Sequence, residues 1–143
     1  MKTVKEMLAA KGTGVVSIAP NETVYNAIKL LSEKNIGALP VINGEKLVGI
    51  LSERDYARRV ILKGKSSKDT LVSEIMSDNV LVVKPEMSNE ECMALMSEKF
   101  LRHLPVVEND RVVGMISIGD VVKVIISEQN FTINNLQQYI MHG

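Results

Sequence analysis

Two carboxylates in this chain stand where they could recognise a partner. Asp55 and Asp120 each follow a serine by three residues, in Ser52-Glu53-Arg54-Asp55 and Ser117-Ile118-Gly119-Asp120, sixty-five residues apart. An ionised carboxylate has two acceptor oxygens and can take two hydroxyl donors of one partner at once. Such bonds are charge-assisted and directional. The same pattern, serine followed by an acid three residues later, is also that of a helix N-terminal cap, worth about 1 kcal/mol. The two uses are compatible if the hydroxyl caps while the carboxylate faces outward. A helix start in that place would also draw an anion toward its free N–H groups.

Other side chains near the two motifs add charge. Arg54 lies within the first motif, where the second has Gly119, and with Arg58, Arg59 and Lys63 it forms a local basic face. Such a face is either a solvated helix surface or, through Arg54, Arg102 or His103, a grip for phosphate, which arginine can hold bidentately. His103 titrates near neutral pH if nothing perturbs it. It reads as a polar contact rather than a metal ligand, because no second His or Cys stands at ligand spacing. Cys92 falls on an apolar helical stripe and reads as a small core residue. No Ser-His-Asp set or metal cluster is recognisable, and Gly12-Thr13-Gly14 is too short for a phosphate loop.

The elements that would position these groups come in two copies. Val15 to Asp55 aligns without a gap on Val80 to Asp120, matching Pro20/Pro85, Leu30/Leu95, Leu39/Leu104, Pro40/Pro105, Val41/Val106, Gly49/Gly114 and both motif residues. Self-similarity at a fixed offset marks an internal repeat. Each copy predicts a short strand (Val15–Ile18, Val80–Val83), then a helix whose inner stripe is Val24, Ala27, Ile28, Leu31 or Asn89, Cys92, Met93, Met96. Ser88 with Glu91 has capping-box spacing, and Thr23 with Asn26 is a weaker version. A two-stranded hairpin follows, Leu39–Ile42 with Lys46–Leu51, turning at Asn43-Gly44, with Asn109-Asp110 in the second copy. Proline in its first strand implies an edge or an irregular start. A helix then runs from Ser52 to about Lys63, and from Ser117 to about Ser127. A lead-in turn, Val4-x-Glu6-Met7-Leu8, recurs as Val72-x-Glu74-Ile75-Met76. The tail from Phe131 to Met141 carries a thin stripe of Ile133, Leu136 and Ile140, suited to packing on its own domain or to a dimer contact.

The expected organisation is therefore α/β (α+β): two tandem β-α-β-β-α repeats, residues 1–68 and 69–127, packed sheet to sheet with pseudo-two-fold symmetry, plus a tail helix over 128–143. Each repeat alone would be marginal, because so small a unit buries little of its surface. The symmetry predicts two clefts between the repeats. Composition limits the function classes. The chain of 143 residues is 45% hydrophobic but only 3% aromatic, so its core is aliphatic. Seventeen basic and seventeen acidic residues leave no net charge to drive nucleic-acid binding. No apolar run approaches a membrane span. One cysteine allows no internal disulfide, and the cytoplasm is the expected compartment.

The doubled pattern, h-Pro-Val followed by Gly-h-h-Ser-x-x-Asp, resembles the tandem cystathionine-β-synthase (CBS) domain pair, or Bateman module, over about residues 1–127. The tail, Arg102-His103-Leu104-Pro105-Val106 and Ser117-Ile118-Gly119-Asp120-Val121-Val122-Lys123 are similar to its stand-alone bacterial members. The resemblance implies a regulatory module, not an enzyme, that binds adenosine-containing ligands between the repeats and often dimerises. AMP comes first, with ATP, NADH and S-adenosylmethionine as alternatives; no cofactor is required. It implies that the motif Asp holds the ribose hydroxyls, the Ser contacts ribose or phosphate, and the first strand and the backbone before h-Pro-Val hold adenine. Site A then comprises Val16, Ile18, Ile36, Gly37, Ala38, Ile116, Ser117 and Asp120. Site B comprises Leu81, Val83, Leu101, Arg102, His103, Leu51, Ser52, Arg54 and Asp55. The wall of site A is small at Gly37-Ala38; that of site B is bulky and cationic at Arg102-His103. The expected partners are the nucleotide, a second copy of the chain and a regulated protein, with neither nucleic acid nor membrane. The alternative is a dimeric protein-interaction module whose clefts are structural.

Overall fold

The computed structural model describes residues 2–12 and 14–142, so Thr13 of the glycine loop lies outside the described residues. The elements run α1 (Val4–Lys11), α2 (Val24–Lys34), β1 (Ala38–Asn43), β2 (Lys46–Ser52), α3 (Glu53–Tyr56), α4 (Val72–Ile75), α5 (Asn89–Lys99), β3 (His103–Glu108), β4 (Arg111–Ser117) and α6 (Ile118–His142). Two antiparallel hairpins, β1–β2 and β3–β4, share one register: Ala38 faces Ser52 and His103 faces Ser117, with an irregularity at Val41/Ile42 and at Val106/Val107.

The helix starts follow the sequence signals. Thr23 Oγ1 accepts from Asn26 N–H at 3.2 Å. Ser88 and Glu91 form a complete capping box, Ser88 Oγ accepting from Glu91 N–H at 3.1 Å. The inner stripe buries Val24, Ala27 and Leu31 on α2, and Asn89, Cys92 and Met96 on α5. Burial, then the Glu91 charge, pushes the Cys92 thiol up, so it is protonated at neutral pH.

Four expectations change. The runs Val15–Ile18 and Val80–Val83 are not strands. Each touches its hairpin at one residue: Ile18 N–H donates to Pro40 C=O at 3.1 Å and Ile18 C=O accepts from Ile42 N–H at 2.9 Å, with Val83 doing the same between Pro105 and Val107. Pro40 and Pro105 have no N–H to extend the ladder, and Pro20 and Pro85 turn the runs away two residues later. The first hairpin turns one residue later than expected. Asn43 stays in β1 opposite Lys46, and Gly44 takes a left-handed φ of 67°, as Asn109 takes one of 52° in the second copy. The helix from Ser52 keeps α geometry only to Tyr56, then widens into a π turn over Ala57–Ile61. Finally, the second motif helix and the tail are one 25-residue helix, α6, because no Gly or Pro interrupts Val121–Met141. Among the described residues its apolar stripe does not pack on its own domain: Phe131, Ile133, Leu136 and Ile140 are exposed.

The two cores exchange their lead-in helices. Val4 and Met7 of α1 are buried among Val83, Cys92, Leu104 and Ile116, in the core of the second repeat. Val72 and Ile75 of α4 are buried among Val24, Leu31, Leu39 and Leu51, in the first. Backbone bonds fix both crossings: Val4 N–H to Met87 C=O and Val72 N–H to Glu22 C=O, each 2.8 Å. The paired glycines are explained by the same exchange. A Cβ on Gly114 would stand 2.5 Å from a methyl of Leu8, and one on Gly49 2.5 Å from the sulfur of Met76. Both strands need a bare backbone where the crossing helix lies against them.

Candidate functional site

Each Ser-x-x-Asp sits where a hairpin ends and a helix begins. Ser52 and Ser117 close β2 and β4, and Asp55 and Asp120 lie in the first turn of α3 and α6. The carboxylates do not simply face outward as expected; they complete the caps. Asp55 Oδ2 accepts from Ser52 N–H at 2.9 Å and from Ser52 Oγ–H at 3.0 Å, and Asp55 N–H donates to Ser52 Oγ at 3.2 Å. In the second motif Ser117 N–H donates to Asp120 Oδ2 at 2.8 Å and Asp120 N–H to Ser117 Oγ at 3.2 Å. All these bonds to carboxylate fall on Oδ2.

Asp120 has a further partner from far along the chain. Lys11 Nζ, in the last turn of α1, donates to Asp120 Oδ2 at 2.8 Å and to Met115 C=O at 2.9 Å. Burial alone would push the Asp120 carboxyl up; the Lys11 hydrogen bond, the Ser117 N–H and the Lys11 charge outweigh it and hold the group below its ordinary range.

Two clefts lie between the repeats. Cleft A, about 460 Å³, is lined by Val16, Ile36, Gly37, Ala38, Ser117 and Asp120, all expected there. Lys11, Gly12, Gly14, Asn35, His103 and Met115 also line it. Cleft B, about 380 Å³, is lined by Leu81, Leu101, Arg102, His103, Ser52, Arg54 and Asp55, again as expected, and by Ile50, Ser77, Asn79 and Phe100.

Four expected wall residues lie elsewhere. Ile116, Leu51 and Val83 are fully buried in the repeat cores, and Ile18 packs against the first core rather than into cleft A. The reason is strand alternation. Residues two apart share a face, so Met115 and Ile50, two before Ser117 and Ser52, line the clefts while Ile116 and Leu51 turn inward. Counting back by two from each serine would have found them.

The contrast between the walls is also different from the one expected. His103 lines both clefts, and a Cβ on Gly37 would meet its ring at 3.3 Å. The small Gly37-Ala38 wall thus accommodates an imidazole shared by the two sites. Burial pushes His103 down, the charges of Lys11 and Arg102 push it further down, and Asp120 only partly opposes them. The ring is neutral at pH 7, so Arg102 and Arg54 supply the cationic character of cleft B. Arg59, counted in the basic face, donates instead to the carbonyls of Ile75 and Met76 at 2.9 and 3.2 Å, where α4 ends. The Gly37 carbonyl, expected to be open to an adenine edge, accepts from Glu53 N–H at 3.1 Å. The signal missed was Lys11. It aligns with Asn79 once the lead-in turns are superposed, but only the crossing of α1 brings it to Asp120.

No helix among the described residues is long and apolar enough to cross a membrane. Known proteins share the architecture. The chain is 37% identical over 99% of its length to the CBS domain-containing protein CBSX3, mitochondrial, of Arabidopsis thaliana, 73% of which is covered. The crystal structure of the CBS domain NE2398 superposes with a TM-score of 0.84 at 50% identity, over 87% of this chain and 98% of that one. The CBS domain pair of protein MJ0100, solved in complex with 5′-methylthioadenosine and S-adenosyl-L-methionine, superposes with a TM-score of 0.78 at 27% identity, over 87% and 99%. The model of the CBS domain matches residues 4–62 and again 72–127, so the chain belongs to the CBS domain family, as a tandem pair.

Proposed function

We propose that this chain is a regulatory module that binds an adenosine-containing ligand between its repeats and passes the binding state to a partner protein. The carrying observation is the placement of Asp120. Its carboxylate lines a cleft of about 460 Å³, and the bonds it accepts all fall on Oδ2. Oδ1 is thereby the oxygen offered to a ribose hydroxyl, while Ser117 and the start of α6 lie beside it. Val16, Ile36 and Ala38 provide the apolar wall for a base. The MJ0100 pair, which carries two adenosine compounds, supports the ligand class. AMP is our first candidate, followed by ATP, NADH and S-adenosylmethionine. Cleft B, with Asp55, Arg54 and Arg102, is the second site. On this reading the module acts by binding rather than catalysis.

A thermal melt against a nucleotide panel tests this reading. Ligand at a hundred times its Kd adds about 2.7 kcal/mol to stability. For a chain of this size that raises Tm by about 10 °C. A melt unchanged by millimolar AMP, ATP, NADH and S-adenosylmethionine refutes it. A second reading, an interaction module acting as a dimer with structural clefts, is favoured by the exposed apolar stripe of α6. It predicts a self-associated chain whose assembly ignores every nucleotide.

A further inference from the structure

Resting on that reading, we propose that Lys11 makes cleft A selective for phosphorylated adenosine ligands, against neutral adenosine and against cationic S-adenosylmethionine. An ammonium group has three donors. Two are committed, to Asp120 Oδ2 at 2.8 Å and to Met115 C=O at 2.9 Å. The third belongs to a side chain that is still 39% exposed and lines the cleft. The ammonium is therefore held beside the carboxylate assigned to the ribose, with one N–H left for an oxygen of the ligand.

The surroundings favour an anion on that side. The Lys11 charge neutralises Asp120, so a phosphate entering the cleft does not meet an uncompensated carboxylate. The start of α6, beside Asp120, carries the positive end of a 25-residue helix. Gly12 and Gly14 border the cleft beside Lys11 and add no side chain to it. His103 stays neutral and adds no second cation there. A sulfonium, by contrast, would be brought toward a fixed ammonium. The counterpart of Lys11 in cleft B is the uncharged Asn79, so the second cleft lacks this filter at the same place.

The test is calorimetric titration of AMP, adenosine and S-adenosylmethionine into the wild-type chain, Lys11→Met and Lys11→Arg. Wild type is expected to bind AMP at least tenfold more tightly than adenosine or S-adenosylmethionine. Lys11→Met should weaken AMP tenfold to a hundredfold, leave adenosine within about threefold and strengthen S-adenosylmethionine, because Asp120 then faces the cleft unpaired. Lys11→Arg should keep the preference for AMP. A variant that had merely lost the shape of the cleft would weaken all three ligands together, and that result overturns the proposal. So does a wild type that binds adenosine as tightly as AMP, although the adenosine reading itself would stand. If none of the three binds wild type, the proposal falls, and the adenosine reading falls with it only when ATP and NADH also leave the melt unchanged.

Discussion

The exchange of lead-in helices can be tested at a single methyl group. Gly114→Ala would put a Cβ 2.5 Å from Leu8 Cδ2 and 2.9 Å from Cδ1. Two effects oppose each other. Gly114 has no positive φ, so alanine is unstrained and restricts the unfolded chain, stabilising by about 0.4–1 kcal/mol. Overpacking costs about 1–3 kcal/mol. Leu8 is half-buried and its rotamer can shift, which keeps the penalty away from the upper end. The net expectation is a loss of about 1 kcal/mol, or about 4 °C in Tm. Gly49→Ala should cost more, about 2 kcal/mol. Besides the flexible Met76 its Cβ would meet the Ser77 carbonyl at 2.9 Å, and that backbone is fixed by two 2.9 Å bonds to Ile50. Urea unfolding at fixed protein concentration measures both. The decisive variant is the double one: Leu8→Ala removes the crowding atoms, so Gly114→Ala should become neutral or stabilising in that background. If the two substitutions simply add, or if Gly114→Ala is as stable as wild type, the account of the paired glycines is wrong.

Asp120→Asn should cost about 1 kcal/mol at pH 7, the scale of a lost cap. Because the folded-state carboxyl is depressed below its ordinary 3.8, that margin is complete above this value and should shrink as pH falls through the folded pKa, read as the wild-type-minus-variant difference in urea midpoints. His103 is depressed below 6.5, so from there downward the unfolded chain binds a proton that the folded chain does not, and stability falls with pH until the folded ring also titrates. His103→Gln should flatten the melting temperature between pH 7 and pH 5. If ribose hydroxyls meet Asp120 Oδ1, 2′-deoxy-AMP should bind wild type about tenfold more weakly than AMP in the same calorimeter, in keeping with about 1.5 kcal/mol for a bond to a charged group; equal affinity would leave the carboxylate a cap alone. If the exposed stripe of α6 joins two copies of the chain, Leu136→Glu should shift light-scattering mass from dimer to monomer while far-ultraviolet dichroism stays unchanged.

Much of the architecture was legible because it is written twice. Matched Pro40/Pro105 and Gly49/Gly114 fixed the hairpins, and Ser52/Ser117 fixed the starts of α3 and α6. What failed was local. Val15–Ile18 has strand composition, yet the prolines around it allow one residue of pairing. Ile116 and Leu51 sit next to the motif serines in sequence, but the pleat turns them into the core. Asp120 was found from its motif, whereas Lys11 could not be: 109 residues separate the two, and no periodicity links a short N-terminal helix to the opposite repeat. The neutral state of His103 likewise depends on burial and on the Lys11 charge, neither of which the residue order reveals.

The crossing of α1 also has a consequence for how the chain comes into being. On a ribosome α1 emerges long before the core that receives Val4 and Met7, which needs Ile116 and Val121. At about 5–20 residues per second, α1 waits about 5–25 s for its seat. Throughout that interval its apolar face has no place to dock. The first repeat is in the same position, since Val72 and Ile75 must follow before its core closes. The nascent chain thus closes its first core only once Ile75 is out and its second only once Val121 has followed, and residues 1–68 made alone would carry one helix with no core to enter and one core with no helix to seal it.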